Sequence, residues 1–223
     1  QRMFDHSART LENALDCAHS LAKHFVYFSS SMVYGDFVDG TVTEESPCSP
    51  LGIYGALKFG GEKLVIAYNQ VFNLPYTIIR PSAAYGERDV GRRVGQSFIE
   101  NTLQGKDMLI NGDGGDRMDF TYIGDLVDGI LKVVGSEKSK NEIFNITCGN
   151  GRSLKELSTI IQGHFPHAKV TSRPRDELAP KRGTLSINKA HEILGYSPQT
   201  SLEEGYARYI GWYKSHTGEF FGS

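Results

Sequence analysis

Tyr54 and Lys58 stand four residues apart in the run Tyr54-Gly55-Ala56-Leu57-Lys58. Four residues make a little more than one helical turn, so on a helix the two side chains share a face. A phenol titrates near ~10 and is inert as a base at neutral pH. An ammonium beside it favours the phenolate and turns it into a proton acceptor. With 11 tyrosines and 12 lysines in 223 residues, such a pair arises about 0.6 times by chance, so its surroundings must carry the reading. They do so through hydroxyls. Upstream, Ser29-Ser30-Ser31 closes the apolar run His24-Phe25-Val26-Tyr27-Phe28, which reads as a buried parallel strand. In open α/β sheets ligands bind beyond the carboxyl ends of such strands.

The elements that must hold these groups follow from periodicity. Leu11, Leu15, Ala18 and Ala22 predict one buried stripe on a helix over 7–23 that feeds the strand at 24–28. A polar loop with Glu44-Glu45, Pro47 and Pro50 leads to a helix over 53–72 carrying Leu57, Leu64, Val65, Tyr68 and Phe72. Gly60-Gly61 in its interior costs about 1 kcal/mol per residue relative to Ala, which is tolerable where another backbone approaches closely. Tyr76-Thr77-Ile78-Ile79-Arg80 is a second strand, leading through Pro81 into Ser82-Ala83-Ala84-Tyr85-Gly86. Beyond it the pattern predicts a helix from Arg92 to Leu103, a strand at 108–110, a turn at 111–115, and a strand from Asp119 to Ile123. Asp125 is expected to open a helix, and Glu142 to Thr147 to return to the sheet. Ser153-Leu154-Lys155-Glu156 and Ser201-Leu202-Glu203-Glu204 read as capping boxes. Asn188 is expected to cap a short helix ending at Gly195, before Pro198. From Thr217 the tail has no pattern.

Composition removes several classes. A formal charge of −2 with 39% apolar residues describes an ordinary globular chain. Arg and Lys are dispersed, and Arg92-Arg93 is too short for a nucleic-acid tract, so no nucleic acid is expected. No apolar run has the length that spans a bilayer, and the first residues do not read as a signal peptide. Cys17, Cys48 and Cys148 lack metal-ligand spacing and read as reduced thiols of a cytoplasmic protein. The seven histidines form no ligand pattern, and no metal site is expected.

In order along the chain, Phe28-Ser29-Ser30-Ser31-Met32-Val33-Tyr34-Gly35, the Tyr54/Lys58 pair, Arg80 to Gly86, Gly112-Asp113-Gly114 to Asp125, and Leu194-Gly195-Tyr196-Ser197-Pro198 resemble the extended short-chain dehydrogenase/reductase family. The likeness is to its NAD-dependent nucleotide-sugar epimerases and dehydratases. It implies an α/β fold with a doubly wound parallel, Rossmann-like sheet and a smaller C-terminal substrate-binding lobe. Residues 1–85 with about 119–148 are expected in the first part, about 86–118 with 149–216 in the second, and 217–223 in a tail. The Gly-rich strand–turn–helix that seats the dinucleotide pyrophosphate does not appear. The sheet is therefore expected to be N-terminally incomplete, lacking about 100 residues, or three βαβ units of ~30 each.

The same resemblance assigns roles. Tyr54 takes the hydroxyl proton, Lys58 binds the nicotinamide ribose, and Ser30, three positions before Val33, hydrogen-bonds the reacting oxygen. Ser29 and Pro81 are expected beside the NAD cofactor and Ser31 beside the sugar, with the loop before Tyr54 lining the sugar pocket. Arg173 matches a phosphate-binding position, Arg182 is a third candidate, and Arg117 stands one residue before the usual place, now Met118. A one-residue shift on a strand turns a side chain to the other face. Family dehydratases carry Asp then Glu after the serine; Ser31-Met32 cannot do that proton work. The expected activity is therefore UDP-sugar 4-epimerisation through a keto-sugar. The alternatives are a dehydratase or reductase of the family, or a catalytically silent NAD(P)-binding homologue. Ala83 and His6 depart from family asparagines. A homodimer through the Tyr54–Lys58 helix is implied.

Overall fold

The computed structural model of the chain describes residues 4–37, 40–89, 91–175 and 179–216. Strands are β1 Phe25–Phe28, β2 Thr41–Val42, β3 Tyr76–Arg80, β4 Ala84–Tyr85, β5 Met108–Asn111, β6 Arg117–Asp119, β7 Thr121–Tyr122, β8 Glu142–Asn145, β9 Gly151–Ser153, β10 Val170–Arg173 and β11 Thr184–Leu185. Helices are α1 Thr10–Ala18, α2 Gly52–Phe72, α3 Val94–Leu103, α4 Ile123–Gly135, α5 Leu154–His164, α6 Asn188–Leu194 and α7 Leu202–Ser215. Among the described residues no helix is long and apolar enough to cross a membrane.

The central sheet runs β1-β3-β8, parallel throughout, with Phe25 opposite Tyr76 and Arg80 opposite Asn145. β3 is buried at all five positions, as a middle strand covered on both faces must be. Successive side chains alternate between those faces. Ile78 joins Leu11, Leu15 and Val65 beneath α1 and α2, while Ile79 joins Leu126, Val133, Phe144 and Tyr196 beneath α4 and α6. Helices on both faces of a parallel sheet make the doubly wound arrangement. A separate core gathers α3, α5 and α7 around the parallel pair β5–β10. Tyr206, Tyr209 and Tyr213 fill it from α7, and Tyr85 stacks on Tyr206 at 4.4 Å.

Several element ends differ from expectation, each for a local reason. The first helix stops at Ala18, whose carbonyl accepts from both Leu21 N and Ala22 N; this turn swings the chain into β1 and leaves Ala22 exposed. A π-helical turn, Asp5–Arg9, precedes it. α3 begins at Val94 because Arg92 adopts φ +51°, outside the helical region. The segment Asp119 to Ile123 is not one strand: β6 pairs antiparallel with β9, β7 pairs parallel with β4, and Phe120 carries the chain between them. α4 opens at Ile123, two residues before the expected Asp125, which lies in its first turn. The Asp125 carboxylate is buried and accepts from Gln199 N and Thr200 N, both at 3.0 Å, tying the segment after Pro198 to that helix. Asn188 is the first residue of α6, and its N–H donates to Ser186 Oγ instead. Ser201 caps α7 through Glu204 N, but Glu204 turns to Arg208, so the box is not reciprocal. The tail from Thr217 lies outside the described residues.

The box at Ser153 is complete, and it makes a stability prediction. Ser153 N donates to Glu156 Oε2 at 2.7 Å while Ser153 Oγ accepts from Glu156 N at 3.1 Å. The Ser153 N–H and the Ser153 hydroxyl, which donates to the same oxygen at 2.8 Å, hold the Glu156 carboxyl at about 2 against an ordinary 4.5, with Arg152 beside it. A folded-state value below the unfolded one stabilises the fold above about 4.5, and the gain is lost as pH falls toward 2. Glutamine keeps the capping geometry without the titration. Over that acid window the melting temperature of wild type should therefore fall further than that of Glu156→Gln.

Candidate active site

The ends of β1 and β3 run side by side into the serine run. Ser29 N donates to Ile79 O at 2.8 Å and Ser31 N to Pro81 O at 2.9 Å, so parallel pairing persists past both strands. Ser30 stays extended at φ −163°, and its Oγ accepts from Met32 N at 3.2 Å, capping a 3-10 turn over Ser31–Val33. Because Oγ is the acceptor there, its own proton remains available to a reacting oxygen. All three serines are buried.

Tyr54 occupies the first turn of α2 and is 49% exposed. Lys58 Nζ lies 5.9 Å from the Tyr54 ring centre and 5.3 Å from that of Tyr27, and donates to Phe28 O at 2.7 Å. The ammonium thus bridges α2 and the last residue of β1. Burial lowers the Lys58 pKa from its ordinary value, as expected for a cation leaving water.

A cavity of about 630 Å³ opens at this point. From the sheet it is lined by Ser29, Ser30, Ser31, Met32, Tyr54 and Pro81; from the second core by Arg93, Arg117, Arg175 and Arg182. Lys58 stands behind Tyr54 and does not line it. Arg117 reaches the cavity edge with its guanidinium bonded to Gly151 O and 4.0 Å from Glu156. Arg182 is half-buried; among the described residues it makes no hydrogen bond or ion pair, with Asp116 attracting it and Arg93 repelling it. Burial, aided by Arg93, lowers its pKa.

Arg173 is not brought to this cavity with the other arginines. It is exposed at the end of β10, donates to Asn111 Oδ1 at 2.5 Å, and does not line the cavity. Two residues further on, past Pro174, Arg175 lines it instead, paired with Asp116 at 3.0 Å and donating to Ala179 O. Arg93, whose Nη1 donates to Ala84 O at 2.6 Å, is the other cation that sequence reasoning passed over. Its only sequence signal was the doublet Arg92-Arg93. Of the loop before Tyr54, none of the described residues lines the cavity. Glu44 turns inward, accepting from Asn145 N at 2.7 Å, and burial pushes its pKa up.

Behind the cavity lies a buried polar network. Arg80 donates through Nε and Nη2 to the two oxygens of Glu62, at 2.9 and 2.7 Å, and through Nη1 to Tyr34 Oη at 2.9 Å and Glu44 O at 3.2 Å. Ser29 Oγ donates to Glu62, and Tyr34 Oη to Asn145 Oδ1 at 2.8 Å. Glu62 follows Tyr54 and Lys58 at the same four-residue interval, the signal that could have revealed it.

These observations define a doubly wound α/β protein with a Ser–Tyr–Lys group at the carboxyl end of its sheet. Residues 1–147 match the NAD dependent epimerase/dehydratase family, and the chain belongs to it. It is 35% identical over 213 residues to the Bacillus subtilis protein named uncharacterized UDP-glucose epimerase YtcB, covering 94% of this chain and 67% of that one. The UDP-glucuronic acid 4-epimerase of Bacillus cereus, solved with UDP-glucuronic acid and NAD, superposes with a TM-score of 0.90 at 27% identity, covering 95% of this chain and 68% of that one. The dTDP-glucose 4,6-dehydratase DesIV of Streptomyces venezuelae, solved with NAD, gives 0.90 at 27% identity, covering 96% and 67%. The chain spans about two thirds of the length of these relatives.

The seating of α2 can be tested through its glycines. A Cβ on Gly55 would lie 2.6 Å from Met32 O in the turn that follows Ser30, whereas one on Gly60 meets nothing within 4 Å. The crowding expected at the glycine pair falls on Gly61 alone, and on the Tyr27 side chain rather than a backbone. Alanine in a helix gains about 1 kcal/mol over glycine, and forced overpacking costs about 1–3 kcal/mol. In urea unfolding, Gly60→Ala should stabilise, and Gly55→Ala should destabilise despite the same propensity gain.

Proposed function

We propose that this chain carries the catalytic and substrate-binding parts of an NAD-dependent nucleotide-sugar epimerase, acting at C4 of a UDP-linked hexose through a keto-sugar. One observation carries the reading. A single cavity joins the Ser30/Tyr54 pair to a cluster of arginines that includes Arg182, a guanidinium that makes no ion pair among the described residues. Arginine forks match phosphate oxygens. A diphosphate held by Arg182, Arg93 and Arg175, with Arg117 at the rim, places the attached sugar toward Tyr54.

Tyr54 then accepts the proton of the sugar hydroxyl, and its exposure leaves the phenol open to that oxygen. Ser30 donates its free proton to the same oxygen, where charge changes most. Lys58, anchored on Phe28 O, keeps two donors and a positive charge beside the phenol. The residues present fit the nicotinamide end of the cofactor: Tyr54, Ser29 and Pro81 border the cavity at the strand ends, and these with Lys58 behind Tyr54 would hold the ribose. When bound, NAD supplies a hydride acceptor that returns the hydride to the sugar. Further parallel strands would add at the β1 edge, which is unpaired among the described residues.

The dehydratase alternative needs an acid and a base after Ser30. Ser31 N is bound to Pro81 O, Met32 lines the cavity, and no carboxylate stands among lining residues 29–32, 54 and 81–85. In this proposal residues 1–85 with about 119–148 form the nucleotide side, and about 86–118 with 149–216 the substrate lobe. We also propose a cytoplasmic homodimer through α2, which exposes Ile53 at 70% and Val71 at 69%.

The test supplies the protein with NAD and UDP-hexoses and analyses the sugar products. Tyr54→Phe should lower turnover by about 10²–10⁴-fold while UDP binding is unchanged. A Tyr54→Phe protein with normal turnover would end this mechanism. Arg182→Met should weaken UDP binding about 30-fold or more. It should also raise the melting temperature, because it removes a desolvated charge that no bonded partner among the described residues offsets.

A further inference from the structure

Tyr54, Lys58 and Glu62 follow one another at four-residue steps on α2, and the row sinks from the cavity mouth into the interior. Tyr54 is 49% exposed, Lys58 half-buried and Glu62 1% exposed. At the buried end Glu62 joins two other elements at once. One carboxylate oxygen accepts from Ser29 Oγ, at the end of β1, and from Arg80 Nε, at the end of β3; the other accepts from Arg80 Nη2. Ser29 precedes Ser30, and the Tyr34 phenol at the far side of the 3-10 turn accepts from Arg80 Nη1. The turn that presents Ser30 is therefore held from both sides by groups bonded to one ion pair.

We infer that Glu62 and Arg80 are positioning residues for Ser30, Tyr54 and Lys58: their fork fixes how far α2 lies along the ends of β1 and β3. An apolar contact in this place would leave the helix free to slide by fractions of an ångström, because dispersion has no direction. A bidentate guanidinium–carboxylate pair accepts one geometry. Replacing a buried ion pair by apolar residues of similar size is often neutral or stabilising, so stability alone does not call for it here. Displacements of about 1 Å between reacting groups can cost 10²-fold in rate.

The decisive variant is the double substitution Glu62→Leu with Arg80→Met, measured in the protein supplied with NAD; its activity arm rests on the epimerase reading above. The fold should survive, as read by circular dichroism and a cooperative melt. kcat should fall by about 10–100-fold with KM for the nucleotide sugar within about twofold, because the arginines of the other core are untouched. Glu62→Gln, which keeps an acceptor for Ser29 and Arg80, should lie between. A second reading needs no turnover: trinitrobenzenesulfonate labelling of Lys58, located by peptide mass spectrometry. It should rise several-fold once the Lys58 bond to Phe28 O is no longer held in register. A folded double variant with either kcat or Lys58 labelling at the wild-type level would overturn the inference. If wild type shows no turnover, the epimerase reading falls and the labelling alone decides positioning. If the double variant does not fold, Ser29→Ala, which cuts the β1 link and spares the ion pair, decides by the same two readings.

Discussion

A carboxylate and a guanidinium, both almost out of water, meet at the point where three strands end. Glu62 is 1% exposed and Arg80 3%. Two parallel N–H···O bonds and a serine hydroxyl satisfy the carboxylate, and a phenol and a carbonyl take the remaining guanidinium edge. Removing one partner of such a pair costs about 3–5 kcal/mol, because the other charge stays buried. Through Tyr34 the network continues to Asn145, whose Nδ2 donates to Ser186 O. One connected set of bonds thus reaches β1, β3, β8 and the segment before α6. The sheet's carboxyl edge is a fixed platform for that reason, and the serine run is presented from it.

The second constraint is the division of labour across the cavity. The sheet side contributes hydroxyls and a phenol, while the other core contributes four guanidinium groups. Arg175 is matched by Asp116 and Arg117 by Glu156, but Arg182 forms no ion pair among the described residues, where Asp116 attracts it without a bond. A half-desolvated guanidinium with no bonded counter-charge among the described residues costs the fold some stability. That is the imbalance expected where binding energy from a remote, unreactive group must orient a reacting one.

Local signals explain why much of this was legible early. The parallel strands, the long helix, the capping box at Ser153 and the left-handed Gly195 all arise from nearest-neighbour chemistry, which a linear string records. The misplacements share a cause as well. Asn188 and Asp125 look like caps by type, yet Ser186 and the backbone of Gln199 and Thr200 compete for the same bonds. Arg173 and Arg175 differ by two positions across a proline, and only the path of the chain there decides which one turns inward.

Residue order alone determined the family-like succession of strand, serines and tyrosine–lysine helix, because helical spacing and strand alternation are properties of adjacent residues. It determined too that the residues after Ser30 lack an acid and a base. Folding decided the rest. Which arginines share a cavity with Tyr54, and that Glu62 is bound to Arg80 and Ser29 rather than to solvent, depend on contacts between residues 18 to 128 positions apart. Such contacts are set by how helices pack on a sheet, and no local pattern encodes that packing.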